Sequence, residues 1–359
     1  MTARLAKSAL PDGHQYSTQQ FDSAATLLDA IARRKLQLDA LKSGAQDALS
    51  SELQKFEIAF ASARKIAADK DADAARRASA AKLLGRDKAR REEDVQILSA
   101  LLTPQTATEI QRAAVKALAQ SGADDVPATL ARGWRSHMPP TRAAIVDELL
   151  SRDAWALDFL KRIEAKEIPV LDIDAQRRDR LLKHKSAPIK TLAQKVFADV
   201  SNPDRQKVID NYSKALELKG DLKNGSQVFS RACAVCHKFD GVGNEIGPDL
   251  RSVTAHAPEK LLASILDPNR SIEPGFTAFL CTLNDGVQVY GIIKSESANS
   301  IMIKAADNNE RTIMRSEIKQ LRSTQVSLMP EGLEATITPQ EMADLIGFLK
   351  SAPPESAKK

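Results

Sequence analysis

The sequence predicts a mainly α-helical chain carrying one small antiparallel β island near its C-terminal end. Three observations lead there. Ala and Leu dominate the first 200 residues while aromatics make up only 4% of the chain, which suits helix packing on helix. A short apolar motif returns at offsets of 34 and 31 residues. Beyond about residue 275 the apolar period drops from that of a helix to about 2, then becomes helical again.

The size and balance of the chain bound the possibilities. It has 359 residues with 43% hydrophobic and 28% charged, and a mean hydropathy of −0.32. Such a chain supports two or three domains with their own cores, and it is not collagen-like, mucin-like or broadly disordered. No apolar run reaches the ~18–20 residues of a membrane span. Lys and Arg outnumber Asp and Glu by 37 to 30 before residue 221, whereas the remainder holds 15 against 17. That surplus is mild and interleaved, as on solvated helix faces, so nucleic acid is not the expected partner. Arg76-Arg77, Lys88-Ala-Arg-Arg91 and Arg177-Arg178 read as such faces, with a docking patch for an acidic partner as the alternative.

Residues 1–70 read as a helical segment. Within it, Glu52–Lys70 places Leu53, Phe56, Ile58, Ala59, Ala63 and Ile66 on one apolar stripe. The repeat occupies 71–205. Ala80-Ala-Lys-Leu-Leu84 parallels Ala114-Val-Lys-Ala-Leu118 and Ile145-Val-Asp-Glu-Leu149. A polar break and a second helical stretch follow each copy (Arg91–Leu102, Asp124–Trp134, Ala154–Glu164), and 175–200 supplies a degenerate fourth pair. Two helices in 30–40 residues bury their Ala/Leu face only against neighbouring copies, so the unit must be repeated. The series resembles HEAT-type repeats, an α-solenoid; an irregular helical bundle is the other reading. Trp134 and Trp155 are expected in its core.

Residues 206–359 differ in character. Helices are expected over Leu222–Arg231, Ala257–Leu266 and Pro339–Lys350, the last with Thr338 as N-cap. Strands are expected over Thr277–Leu283, Val287–Lys294, Ser300–Ala305 and Arg311–Met314, with turns at Asn284-Asp-Gly286 and Asp307-Asn-Asn-Glu310. They form a β subdomain over 275–322 inserted between helices. Cys281 on the first strand reads as a buried, inert thiol.

The chemistry concentrates in Cys233-Ala-Val-Cys236-His237. Two thiols three residues apart on one helical turn can each add to a haem vinyl group. The adjoining histidine then meets the iron from the proximal side. A thioredoxin-like dithiol would need a βαβ setting. A zinc site would need four ligands, which Cys233, Cys236, His256 and Cys281 supply without recognisable spacing. No paired carboxylates, nucleophile–base set or phosphate-cradling loop competes with the motif.

With Gly225-Ser-Gln-Val-Phe229 before the motif and Gly243-Asn-Glu-Ile-Gly247-Pro248-Asp249-Leu250 after it, the region resembles class I cytochromes c. The resemblance implies that Gly225 and Phe229 pack against Leu345, Phe348 and Leu349 of the last helix. It also implies that the Pro248 carbonyl accepts the Nδ1 proton of His237. The distal iron ligand is expected from Met329, in the loop Ser327-Leu-Met-Pro-Glu-Gly-Leu333, where class I cytochromes place a methionine. Met302 and Met314 read as sheet core, Met342 as helix packing, and His256 as a half-exposed histidine of a helical stretch. The 92 residues from His237 to Met329 exceed a minimal cytochrome by the strand insertion.

Residues 222–351 also resemble a narrower family, the haem-binding domain at the C-termini of planctomycete- and verrucomicrobia-type membrane-associated dehydrogenases. The matching pieces include Val228-Phe229, Leu261-Leu-Ala-Ser-Ile-Leu-Asp-Pro268, Ile272-Glu-Pro-Gly-Phe276, Asp285-Gly286, Tyr290-Gly291, the Met329 loop and Glu341-Met-Ala-Asp-Leu345. In that family helical repeats often precede the haem domain, and a β-propeller resembling quinoprotein sugar dehydrogenases often precedes both. The resemblance implies one covalent haem c, with Cys233 and Cys236 as anchors and His237 and Met329 as axial ligands. It implies one-electron transfer from a fused or docked dehydrogenase to a downstream acceptor, a role that requires no bond-making step on a substrate from this chain. A haem-based sensor, or a repeat scaffold with a structural haem, are the alternatives. Haem c is attached after export, yet Met1-Thr-Ala-Arg-Leu-Ala-Lys lacks the apolar core of a leader. A periplasmic protein is therefore expected, as a mature, truncated or partial form of a longer product.

Overall fold

A computed structural model describes residues 16–34, 36, 47–198, 203–273 and 275–352. The first seven residues, Pro274 and the side chain of Leu53, all used above, lie outside the described residues. The chain divides into two compact units, Met1–Ala156 with Ser297–Asn299, and Leu157–Glu296 with Ser300–Lys359.

The first unit is helical: α1 (Thr18–Arg33), α2 (Asp47–Ala68), α3 (Ala74–Ala81), α4 (Arg91–Ala100), α5 (Thr108–Ser121), α6 (Val126–Ala131) and α7 (Pro139–Leu149). Helix α8 (Asp153–Glu164) follows across the division. On α2 the buried stripe is Phe56, Ala59, Phe60, Ala63 and Ala67. Ile58 is 41% exposed, because two residues on from Phe56 a helix shows its opposite face. The first helices of the three repeated units pack in succession, α3 on α5 and α5 on α7. They bury Ala80, Ala81, Ala114, Val115, Leu118, Ile145, Val146 and Leu149. Within the first copy, the buried Asp94 carboxylate accepts from the Gly85 amide at 2.8 Å, and it also accepts from Arg64 Nε of α2 at 2.6 Å. Arg76 and Arg77 are half-buried rather than solvated; their guanidiniums donate to the Tyr16 and Ala67 carbonyls. Trp134 is buried, but Trp155 is only half-buried, with the Arg152 guanidinium 3.9 Å from its ring centroid.

The second unit opens with the packed pair α9 (Ala175–Leu182) and α10 (Ala187–Phe197). Four further helices form one apolar core: α11 (Pro203–Tyr212), α12 (Leu222–Ala232), α13 (Pro258–Leu266) and α14 (Pro339–Ser351). A two-stranded ribbon, β1 (Lys238–Phe239) and β2 (Val242–Gly243), lies between α12 and α13. A five-stranded antiparallel sheet lies between α13 and α14. Its strands are β3 (Thr277–Leu283), β4 (Gln288–Glu296), β5 (Ser300–Lys304), β6 (Glu310–Met314) and β7 (Ile318–Ser327), in the order β6-β5-β4-β3-β7.

Strand β7 has no counterpart in the sequence reading. Its residues are mostly polar, and register shifts where it pairs with β3 break the alternation of buried positions. The sheet thus runs to Ser327. Its buried face carries Ile301, Ile303 and Ile313, so Met302 is half-buried and Met314 is 46% exposed, contrary to the expectation of sheet core for both.

Helices α12 and α14 meet at Gly225. A Cβ there would lie 2.1 Å from the Asp344 carbonyl oxygen and 2.7 Å from Phe348 Cβ, so only glycine permits the approach. Beside it Phe229, Phe239 and Phe348 form an aromatic triad with centroid separations of 5.2 to 6.0 Å. The buried Asp344 carboxylate accepts from the Asp221 amide at 2.8 Å, Asn224 Nδ2 at 2.6 Å and Gln340 Nε2 at 2.9 Å. Burial alone would raise its pKa; the three donors outweigh burial and hold it below the usual range. Thr338 caps α14 in a reciprocal box with Glu341, as its sequence signature predicts.

Two outcomes follow. Gly225→Ala is expected to destabilise the second unit by about 1–3 kcal/mol by overpacking, despite alanine's better helix propensity. Urea unfolding of the two proteins would measure this. In the first unit His137 is 1% exposed and donates through Nε2 to the Arg132 carbonyl at 3.1 Å. Burial, partly offset by that bond, pushes it to about 4. The neutral ring's contribution is complete above about pH 6.5 and is lost as pH falls toward 4, at about 1.4 kcal/mol per unit. The stability difference between wild type and His137→Gln should therefore shrink over that window, as read by urea unfolding at stepped pH.

Candidate haem-attachment site

The motif lies at the end of α12, on a turn the helix does not finish. Asp221 caps the helix start, and Gly225, Val228 and Phe229 bury its inner face. At the other end the amides of Cys233 and Ala234 both donate to the Phe229 carbonyl, at 2.8 and 2.9 Å. The amides of Cys236 and His237 then donate to the Cys233 carbonyl, at 3.0 and 2.8 Å. One turn thus presents both thiols and the imidazole. The thiols are free and partly buried. Burial pushes Cys233 up to about 11 and moves Cys236 in the same direction. A redox dithiol of the thioredoxin kind needs a lowered thiol pKa, which is the opposite of what this turn provides.

His237 is held from two sides. Its Nδ1 lies 2.8 Å from the Pro248 carbonyl oxygen. A carbonyl only accepts, so Nδ1 carries the proton and Nε2 keeps its lone pair. The ring rests on Gly247, where a Cβ would fall 2.4 Å from Cε1 and 2.7 Å from Nδ1. The loop is drawn in by the Cys236 carbonyl, which accepts from the amides of Ile246 at 3.0 Å and Gly247 at 2.7 Å. Asn244 adds a backbone bond to Ala234 and a side-chain bond to the Val235 carbonyl. Burial lowers the imidazole's pKa, partly offset by the bond to Pro248, so the ring is a neutral donor ligand near pH 7.

The other sequence-predicted residues are distributed as follows. Met329 is half-buried in the bend after β7, and its amide donates to Ser327 Oγ at 3.0 Å. It is not among the described side chains that pack on the helical core, whereas Met342 is fully buried in it. His256 sits in the bend before α13 rather than in a helical stretch. Its Nε2 lies 3.0 Å from Lys260 Nζ, and an ammonium only donates, so that lone pair is already engaged. Burial and the Lys260 charge both lower its pKa. Cys281 is fully buried on β3 between Val289 and Leu321. Among the described residues no three His, Cys, Asp or Glu side chains gather to hold a metal ion, so the zinc tetrad is not assembled. The donor set fits a covalently attached haem: two protonated thiols on one turn and a neutral imidazole with a free Nε2.

Sequence reasoning missed Phe239, which completes the aromatic triad beneath the motif. It missed Asp344 and Arg205 as well. Arg205 is buried, donates to the Leu266 carbonyl at 2.8 Å, and pairs with Glu334 at 2.6 Å. Apart from Gln340, the partners of the two polar residues lie 61 to 129 positions away, so no local pattern signals them.

Residues 222–279 match the family model of cytochrome c. No curated protein matches the chain. Among the described residues no helix is long and apolar enough to cross a membrane. The matched segment runs from α12 through the Cys-x-x-Cys-His turn, Gly247-Pro248 and α13 into β3. The match supports a class I cytochrome c-like haem-binding domain at these residues; domains of that kind carry covalent haem c, serve electron transfer and typically lie outside the cytoplasm.

Proposed function

We propose that this chain is a monohaem c-type electron-transfer module, with residues 206–359 as its haem domain and the β sheet as an insertion. The observation that carries this reading is the His237 ring, seated on Gly247 with Nδ1 bonded to Pro248 and Nε2 left free. When bound, the cofactor supplies reversible one-electron chemistry. Cys233 and Cys236 would carry its thioethers, and His237 would be the proximal ligand. Pro248 fixes the ring's orientation and raises its basicity. Met329 would supply the distal ligand, since it is half-buried, outside the core and on the segment leading into α14. Phe229, Phe239 and Phe348 exclude water from the inner side of the turn.

Residues 71–205 would be a HEAT-like arm behind the N-terminal segment 1–70, a reading supported by the succession of α3, α5 and α7. The ordered sequence matches over 222–351 favour the planctomycete- and verrucomicrobia-type lineage. On that reading the electron donor is a fused or docked dehydrogenase, the acceptor is a downstream carrier, and the compartment is the periplasm.

Exported through a c-type maturation system, the full chain should acquire one haem that acid-acetone does not extract, giving a c-type pyridine haemochrome spectrum. Joint replacement of Cys233 and Cys236 by Ala should abolish it; extractable haem in the wild type would sink the proposal. Met329→Ala should keep the covalent haem but open the sixth position, so that the reduced protein binds carbon monoxide at neutral pH. An unchanged spectrum would remove Met329 from the ligand set.

A further inference from the structure

Met329 stands at the middle of a five-residue bend, Ser327 to Glu331, and one amide side chain holds both limbs of that bend. Asn269 Oδ1 accepts from the Ser327 amide at 2.8 Å, and Asn269 Nδ2 donates to Glu331 Oε1 at 2.6 Å. Between those anchors Ser327 Oγ accepts the Met329 amide proton at 3.0 Å. Asn269 is half-buried in the turn after α13, which the Arg270 amide closes onto the Asp267 carbonyl.

Ser327 is also the last residue of β7, paired with Thr277, and Thr324 Oγ1 ties the same strand to the Ala278 carbonyl at 2.9 Å. Downstream, Arg205 grips the Glu334 carboxylate, and Tyr212 Oη lies 2.9 and 2.8 Å from the Glu334 and Ile337 carbonyls. The bend is therefore fixed at its start, its middle and its end, with the methionine at its centre.

We infer that Asn269 and Ser327 are positioning residues that hold the Met329 thioether at the iron. The inserted sheet then has a mechanical task, which is to deliver Ser327 to Asn269. The inference rests on Met329 being the distal ligand. Loosening the bend raises the fraction of protein whose sixth position is open. The apparent affinity for an external ligand rises with that fraction.

The test is an imidazole titration of the oxidised full-length holoprotein, with the far-red methionine-to-iron band recorded in parallel. Asn269→Leu, which removes both bonds, should bind imidazole about tenfold more tightly and weaken the band, equivalent to about 1.4 kcal/mol on the closed bend. Asn269→Asp keeps the acceptor for Ser327 and should fall between. Ser327→Ala should resemble Asn269→Leu, and Ser327→Thr should restore wild-type values. Should Asn269→Leu not fold, the two Ser327 variants decide alone. Wild-type imidazole affinity in Ser327→Ala and the folded Asn269 variants, even with a lower melting temperature, would overturn the positioning role. Met329→Ala separates the two levels. If it abolishes the band while the other variants are silent, only the positioning inference fails. If it leaves the band intact, the ligand assignment fails and the inference with it.

Discussion

The backbone approach of α12 to α14 at Gly225 is the constraint on which the second unit depends. Glycine lets the two helices meet where any Cβ would press into the Asp344 carbonyl. That contact sets the depth of α12, and α12 ends in the turn that bears Cys233, Cys236 and His237. A helix displaced there by even a methyl group would carry the motif away from Gly247 and Pro248, which come from the following loop. Packing at one end of the helix thus governs orientation of the imidazole at the other.

Around this contact the unit is tied by polar groups that bridge long stretches of sequence. Asp344 gathers three donors from both sides of the helix junction. Arg205 joins α11 to the Leu266 carbonyl and to Glu334, and Asn269 joins the turn after α13 to the bend after β7. Each is a buried or half-buried group whose partner must be in place, since an unmet buried charge or amide costs more than the bond contributes. These ties make the insertion of five strands compatible with one helical core. The sheet enters after α13 and leaves into the Met329 bend, and both crossings are clamped.

How much of this could be read beforehand depends on whether the information is local. The Cys-x-x-Cys-His turn, the Thr338 cap and the repeated Ala/Leu motif are local, and each is legible because its spacing is its meaning. Strand β7 was not legible, because its alternation is broken by register shifts and its residues are mostly polar. Ile58 and Met314 misled for the related reason that an apolar residue near a core is not thereby in it. Asp344, Arg205 and Asn269 look like surface residues in sequence, and only their distant partners distinguish them.

The sequence by itself determined the chemistry available at the site. Two thiols, an imidazole and a following Gly-Pro are supplied by residue type and spacing alone. It also determined that helices dominate and that strands interrupt them late in the chain. Tertiary structure decided the rest: that Met329 stands outside the helical core while Met342 is buried in it, that His237 keeps its Nε2 lone pair while that of His256 is engaged, and which polar side chains hold the loops. Ligand type is written in neighbouring residues, whereas occupancy and orientation depend on contacts between segments that only the folded chain brings together.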